Sequence, residues 1–418
     1  MNQVSIFGYG VTMKQMVKYL NKQGIECNIF DDQFLEHLHD ETENENNNIF
    51  LPTDMFDAKN SSLEIISPGI PPHHPLVQKA RHLIGEYDYF YDLFDETYAP
   101  QTIWISGTNG KTTTTEMLTF LLSAYGACSG GNIGTTLAEL YMQKAKLWIL
   151  ETSSFTMHYL KKASPKLYLL LPVKEDHILW HGGFEAYLSD KLKPLKLMKK
   201  DSFAIIPKIF EHRSEVLSFN GKAFFYQDSD DLATAIGIQK QEIVFKEPFL
   251  LDALLALYAT KILYNYVDID LLNIFKVGKH RLEEFRDKKG NLWVDDSKGT
   301  NVDATLEALK RYKDKKIFLI LGGDDKGMDQ NPIFNLAKNF DVKIFVIGRN
   351  AKHLLDLAYK YRIEAFECEQ LEVAVGKIKG FLDSYGVGLL SPAAASLDQF
   401  NSYKERGELF KKYVLKED

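Results

Sequence analysis

Seven consecutive residues, Gly107-Thr108-Asn109-Gly110-Lys111-Thr112-Thr113, are of the types that hold a phosphate chain. Glycines let backbone N–H groups approach anionic oxygens, and a helix start adds the positive end of its dipole. Lys111 offers a point charge to the outer phosphates, and the Thr112 hydroxyl can ligate magnesium. The general phosphate-loop pattern asks for one more glycine, at position 105, where Ile105 stands; the loop is a shortened variant. Glu151 opens the string Glu151-Thr152-Ser153-Ser154-Phe155. Magnesium takes one or two carboxylates beside phosphate oxygens and water, and a strand-end Glu beside the loop suits that role. Asp176-His177 brings an imidazole into the same block, and Lys191 follows in the string YLSDKLKP. Read alone, Lys191 is a solvated helix lysine.

A second set lies further on: Asp295-Asp296-Ser297-Lys298-Gly299-Thr300-Asn301, then Gly322-Gly323-Asp324-Asp325-Lys326, then Ser391 to Phe400 (SPAAASLDQF). Lys298, Lys326 and Ser396 follow strand signals and together suit a small acidic substrate. Near the start, Gly8-Tyr9-Gly10 is part of a dinucleotide fingerprint whose third glycine is replaced by Met13. That fits a diphosphate-bearing ligand at a helix start better than a complete NAD site.

These groups need scaffolds, and the alternation of apolar runs supplies them. The first block has a strand at Val4–Phe7, a helix over Thr12–Leu20, and strands at Cys27–Phe30 and Leu63–Ser67. The polar tract Asp40–Asn48 (DETENENNN) reads as a solvated loop, and Asp95–Gln101 as a linker. The second block places a strand at Thr102–Ile105, a helix over Lys111–Ser123, strands at Leu147–Leu150, Leu167–Leu171 and Phe203–Ile206, and a long apolar helix over Phe249–Leu263. The third has strands at Leu292–Val294, Ile317–Leu321, Lys343–Ile347 and Val387–Leu390. Strands alternating with helices imply an α/β protein with mostly parallel sheets, which bind ligands at the carboxyl ends of their strands.

At 418 residues the chain has room for two to four cores. A net charge of −7 gives no electrostatic footprint for nucleic acid. Cys27, Cys128 and Cys368 are too few and too scattered for a disulfide framework or a zinc site. The immediate strand leaves no leader peptide, and no apolar run spans a bilayer. The expectation is a cytoplasmic protein without membrane insertion.

Taken together, the strings GTNGKTT, ETSSF, DH with a following helix lysine, His280-Arg281, DDSKGTN, LGGDDK and SPAAASLDQF resemble the Mur ligase family of cell-wall peptide ligases, in order and spacing over essentially the whole chain. Ser67-Pro68-Gly69-Ile70, DSKGTN and SPAAASLDQF resemble the member that adds D-glutamate; the DNPR-like string of the diaminopimelate-adding relative is absent. The resemblance implies three domains: a Rossmann-like domain for a UDP-linked substrate (1–98), a central phosphate-loop ATPase domain (99–277) and a Rossmann-like domain for the amino acid (278–418). It implies an ATP-dependent amide ligase, the step of peptidoglycan precursor synthesis that joins D-glutamate to UDP-N-acetylmuramoyl-L-alanine through an acyl phosphate, with the third domain closing over the second.

By the same resemblance, Gly107 to Thr113, Arg281 and Asp296 hold ATP. Thr112, Glu151 and His177 serve two magnesium sites, joined by Lys191 once it is carbamylated. Thr12, Asp31, Ser67, Gly69, Asn132, Ser153 and His177 line the UDP-linked substrate. Lys298, Thr300, Lys326, Ser396, Leu397 and Tyr403 surround D-glutamate. A monomer is implied. Three departures stand out: Pro248-Phe249-Leu250-Leu251-Asp252 replaces the family's HNxxN-type string at the adenine side, Pro172 replaces an Asn, and Tyr403 replaces a Phe. A folylpolyglutamate synthase-like ligase would lack the UDP-type first block. A phosphate-loop switch would not need Lys298 and Lys326, and a nicotinamide oxidoreductase rests only on the broken glycine fingerprint.

Overall fold

The computed structural model describes residues 3–35, 38–39 and 48–416. Contacts divide it into two compact units, Met1–Phe275 and Lys276–Asp418. Of the polar tract, only Asn48 lies among the described residues. It is buried, its side-chain oxygen accepting from the Cys27 N–H at 3.0 Å, so that end of the tract is a strand anchor.

Unit 1 holds two six-stranded sheets. The first runs β3 (Leu38–His39), β4 (Ile49–Leu51), β2 (Cys27–Phe30), β1 (Val4–Phe7), β5 (Leu63–Ile66), β6 (Leu83–Gly85), parallel except for the β3–β4 pair. The second is wholly parallel: β12 (Lys222–Tyr226), β11 (Phe203–Pro207), β10 (Leu167–Leu170), β7 (Gln101–Ser106), β9 (Leu147–Glu151), β8 (Ala127–Gly131). From β7 the chain builds outward to β8 and back to β9, then crosses to β10 on the other side. That reversal leaves a crevice at the carboxyl end of β7, where an open α/β sheet binds its ligand.

The helix leaving that crevice, Lys111–Leu121, contains Thr112 to Thr115, all buried. Four successive β-branched residues are weak helix formers, so tertiary packing must hold this segment. The packing comes from the helix Phe249–Tyr264, apolar nearly all round and buried along most of its length. Leu254, Leu255 and Leu257 are fully buried there, each contributing about 1.5–3 kcal/mol.

Unit 2 carries one sheet, β13 (Glu283–Arg286), β14 (Leu292–Asp295), β18 (Gly386–Leu390), β15 (Lys316–Leu321), β16 (Val342–Ile347), β17 (Ala365–Glu369). Only β13 is antiparallel, and it is a charged edge strand. The last strand inserts between β14 and β15, so the three loops singled out in the sequence leave adjacent strands. The sequence reading leaves out β3, β4, β6, β8, β12, β13 and β17. Of these, β8 and β13 are rich in glycine or charge and give no apolar run, and β3, β4 and β6 are only two or three residues long. Pairing with neighbours makes all of them strands.

Candidate active site

Gly107 and Gly110 adopt φ of 144° and 82°, open to glycine and strained for other residues. A β-carbon on Gly107 would run into Leu171, and one on Gly110 into the Asp252 carboxylate. The loop is pinned from β10: the Thr108 N–H donates to the Pro172 carbonyl at 3.1 Å, and its hydroxyl lies 3.0 Å from Tyr187 Oη. Gly110 caps the helix that follows, directing the first-turn N–H groups into the crevice. Lys111 Nζ donates to the carbonyls of Gly107 and Thr108 at 3.0 and 2.7 Å, holding its charge over its own loop.

Glu151 ends the neighbouring strand β9 and is buried. Its Oε1 accepts from Asn132 Nδ2 at 3.1 Å, while Oε2 is buried without a hydrogen-bond partner. A bare buried carboxylate oxygen is costly, and a hard cation is the partner that satisfies it. The residues present therefore fit magnesium, with Thr112 at the start of the helix Lys111–Leu121. His177 follows β10 with φ of 53°, its Nε2 3.5 Å from Asp176 and its ring 4.6 Å from that of Phe155. Ser153 caps the short helix Ser154–His158.

Lys191 overturns the expectation of a solvated side chain. It lies buried on the helix Phe184–Leu197 and donates to the Gly107 carbonyl at 2.9 Å and to Ser106 Oγ at 3.3 Å. Burial pushes its amine well below the usual lysine range and Lys111 adds to this, against the pull of Asp176, Glu151 and Asp190. The next residue back, Asp190, was not singled out from the sequence. Its Oδ2 is shared by His158 Nδ1 at 2.9 Å and His181 Nδ1 at 2.8 Å, and His181 Nε2 reaches Ser154 Oγ at 2.9 Å. Burial raises the Asp190 carboxyl, but these two imidazoles outweigh it and hold it below the ordinary range. The array ties the lysine's helix to the ETSSF segment. Asp252 was likewise seen only as a departure, yet its Oδ1 accepts from Thr114 Oγ1 at 3.2 Å beneath the phosphate loop.

In the first sheet, Thr12, Asp31, Ser67 and Gly69 follow β1, β2 and β5, three adjacent strands, at their carboxyl ends. Asp31 accepts from the Tyr9 N–H at 2.6 Å, which turns the glycine-rich loop toward it. The Ser67 N–H donates to the Phe7 carbonyl at 2.8 Å, and the Gly69 carbonyl accepts from Trp180 Nε1 at 3.2 Å.

Unit 2 gathers its predicted residues at one sheet end. The Ala393 N–H donates to the Gly299 carbonyl at 3.0 Å, Gly322 N–H to Pro392 at 2.9 Å, and Asp324 and Ala395 exchange a pair of backbone bonds at 3.0 and 2.9 Å. The loops bearing Lys298 and Thr300, Lys326, and Ser396 and Leu397 are thereby stitched together. Lys298 Nζ stands 5.3 Å over the Tyr403 ring; Lys326 and Leu397 are exposed, and Ser396 is buried. Arg281 lies beside His280, which pairs with Asp295 at 2.7 Å. Burial pushes the Asp296 carboxyl up to about 7, despite donation from Ser391 Oγ at 2.7 Å and the Leu282 N–H at 3.2 Å. Arg406, on the last helix and without any local sequence signal, bridges two loops: Nε and Nη2 donate to Ser297 Oγ and O at 2.9 and 2.8 Å, and Nη1 and Nη2 to Ala394 O at 3.2 Å.

A phosphate loop at the reversal point of a parallel sheet, with a bare carboxylate oxygen and a buried lysine beside it, defines a nucleotide-using phosphate-loop enzyme. Residues 105–241 match the family described as the Mur ligase middle domain. Over 414 residues the chain is 49% identical to the UDP-N-acetylmuramoylalanine--D-glutamate ligase of Campylobacter jejuni subsp. jejuni serotype O:23/36 (strain 81-176), covering 99% of this chain and 100% of that one. The enzyme of the same name from Helicobacter pylori (strain HPAG1) is 47% identical over 427 residues, again covering 99% and 100%. Among solved structures, the MurF ligase of Thermotoga maritima in complex with ADP has a TM-score of 0.58 at 17% identity, over 85% of this chain and 89% of that one. The UDP-N-acetylmuramate-alanine ligase MurC of the same organism has a TM-score of 0.56 at 17% identity, over 99% and 98%. These two show a shared fold. The chain belongs to the Mur ligase family, on the branch of the UDP-N-acetylmuramoylalanine--D-glutamate ligases.

Proposed function

We propose that this chain joins D-glutamate to UDP-N-acetylmuramoyl-L-alanine while converting ATP to ADP and phosphate, as a cytoplasmic monomer. Identity with ligases of that name along the whole chain carries the choice of substrates. The loop N–H groups from Gly107 to Thr113 receive the ATP phosphates, and Lys111 turns from its own loop carbonyls to the γ-phosphate. The alanyl carboxylate attacks the γ-phosphorus, forming an acyl phosphate as ADP leaves. The D-glutamate amine then attacks the acyl carbon; the tetrahedral adduct collapses, phosphate departs and the nitrogen loses a proton. No enzyme nucleophile is needed, so the protein contributes position and charge.

Bound magnesium would neutralise the charge that spreads over the transferring oxygens; Thr112, Glu151 and His177 are the residues that would hold it at two sites. Lys191, neutral in its buried setting, suits carbamylation: Nζ bonds to the carbon of CO2, a C–O π pair moves to oxygen, and a proton leaves to water. The product is an anion in place of the neutral amine, close enough to Glu151 to feel its charge. Asn132 and Ser153 address the muramoyl part, while Thr12, Asp31, Ser67 and Gly69 address the uridine diphosphate. Arg281 and Asp296 contact ATP. Lys298 and Lys326 meet the two carboxylates of D-glutamate, with Thr300, Ser396, Leu397 and Tyr403 around them. ADP release with UDP-N-acetylmuramoyl-L-alanine should require D-glutamate. Release that ignores D-glutamate, or that L-glutamate supports equally well, would overturn the reading.

A further inference from the structure

Trp180 stands three residues after His177, on the four-residue helix Ile178–His181, but its ring packs against the cluster that includes Phe7 and Ile66 of the first sheet, with the Tyr159 ring 6.2 Å away. Its indole N–H donates to the Gly69 carbonyl at 3.2 Å, and Tyr159 Oη donates to the adjoining Ile70 carbonyl at 2.6 Å. Two aromatic side chains from the central part of the chain thus hold consecutive carbonyls of the Ser67–Ile70 turn. On its other side the Trp180 ring meets Phe155 at 4.6 Å and His181 at 4.5 Å, and Phe155 meets His177 at 4.6 Å. An unbroken path of contacts therefore runs from the Gly69 carbonyl through Trp180 and Phe155 to His177.

The backbone around this path is short and turns sharply. The short helix begins at His177 with φ of 53° and is followed by Gly182 and Gly183 at 81° and 148°, with no side-chain cap at its start. A single turn is far below the length at which a helix stands by itself, so side-chain contacts decide where it points. His181 is fixed by Asp190 and Ser154, and the His177 N–H donates to Asp176 Oδ1 at 2.9 Å; Trp180 adds the tie from this turn to the Gly69 carbonyl.

We infer that Trp180 is a positioning residue that couples the two substrate sites: UDP-linked substrate seated at the Ser67–Ile70 turn fixes the His177 turn through the indole, and so tightens nucleotide binding. This rests on the proposed function, which puts the uridine diphosphate at Gly69 and magnesium at His177. Coupling between sites is reciprocal, so the nucleotide tightens the UDP-linked substrate by the same factor. The indole earns its place through one N–H and one ring, and these can be removed separately.

Affinity for a non-hydrolysable ATP analogue with magnesium is measured by calorimetry, with and without saturating UDP-N-acetylmuramoyl-L-alanine. The wild-type chain should show a tightening of at least about fivefold, the low end of ordinary coupling. Trp180→Phe, which keeps a ring but loses the N–H, and Phe155→Leu, which breaks the path beyond it, should each bring the factor close to one while analogue affinity alone stays near wild type. A purely structural role would weaken analogue binding alone and leave the ratio intact. Trp104, Trp148 and Trp293 are buried, so a change in tryptophan emission on adding the UDP-linked substrate should vanish in Trp180→Phe. An equal ratio in wild type and both variants overturns the inference and leaves the function standing. Failure of the wild-type chain to bind the UDP-linked substrate overturns both.

Discussion

Replacing Gly110 by alanine tests the phosphate loop at the atom where geometry is least forgiving. The residue sits at φ of 82°, and an added β-carbon would strike the Asp252 carboxylate, with Leu171 Cδ2 at 3.0 Å and Asp252 Cγ at 3.2 Å. Left-handed backbone costs a residue with a β-carbon about 1–2 kcal/mol. Forcing a packed neighbour aside costs about 1–3 kcal/mol more. The sum, about 2–5 kcal/mol, is relieved most readily by moving the loop itself, because Asp252 is buried beneath it. At about 1.4 kcal/mol per tenfold, ATP affinity should fall by about 30-fold to a few thousand-fold. Adding Asp252→Ala removes the obstructing carboxylate and should return the packing share, about 1–3 kcal/mol, leaving the backbone share unrepaired. Gly134→Ala is the control: φ is 62° but nothing lies within 4 Å of its added carbon, so only the backbone share should appear, away from ATP. Calorimetric titration of an ATP analogue into the four variants and the wild type measures the cycle. Affinity within threefold of wild type for Gly110→Ala, or strict additivity with Asp252→Ala, would refute the reasoning.

Two further outcomes follow from buried ionisable groups. Lys191→Ala should lose nearly all turnover and regain part of it with added short-chain carboxylic acids, which supply the missing anion; full activity without them would sink the carbamate assignment. For Asp296 the folded carboxyl titrates at about 7 against an ordinary value of 3.8, so the folded state holds the extra proton between those pH values. Its contribution to stability is full below about 4 and is lost as pH rises through about 7. Between pH 5 and pH 8 that is about 3 kcal/mol, from about 1.36 kcal/mol per pH unit. Hydrogen exchange at β14 and β18 should show wild-type protection falling relative to Asp296→Asn over this range. A difference between the two that does not vary with pH would refute the buried-acid account.

Much of the site was legible because local chemistry demands particular residues in a row. A phosphate loop needs glycine at Gly107 and Gly110, and an apolar strand before it, so one string reports both the turn and its ligand. Glu151, His177, Lys298 and Lys326 were visible because each follows a strand signal, and parallel sheets put such positions on one edge. Other groups had no such mark. Asp190 and Arg406 sit inside helices, where a charge ordinarily means solvent, and only the folded chain shows them hydrogen-bonded in its interior. Strands β8 and β13 were invisible for the opposite reason: their glycines and charges carry no apolar pattern, and an already formed neighbour recruits them.

By itself the sequence determined the α/β alternation, the phosphate loop, and the loops that carry Lys298, Lys326 and Ser396, because each depends on contacts between near neighbours in the chain. The tertiary structure decided what those residues are. Lys191 reads as a solvated helix lysine until the helix packs on β7 and β10. There, excluded from water and beside Lys111, its amine is pushed toward the neutral form. Strand order likewise turned three separate loops of unit 2 into one surface, because β18 inserts between β14 and β15. Burial and adjacency are properties of the whole fold, and the charge state of a side chain follows from them.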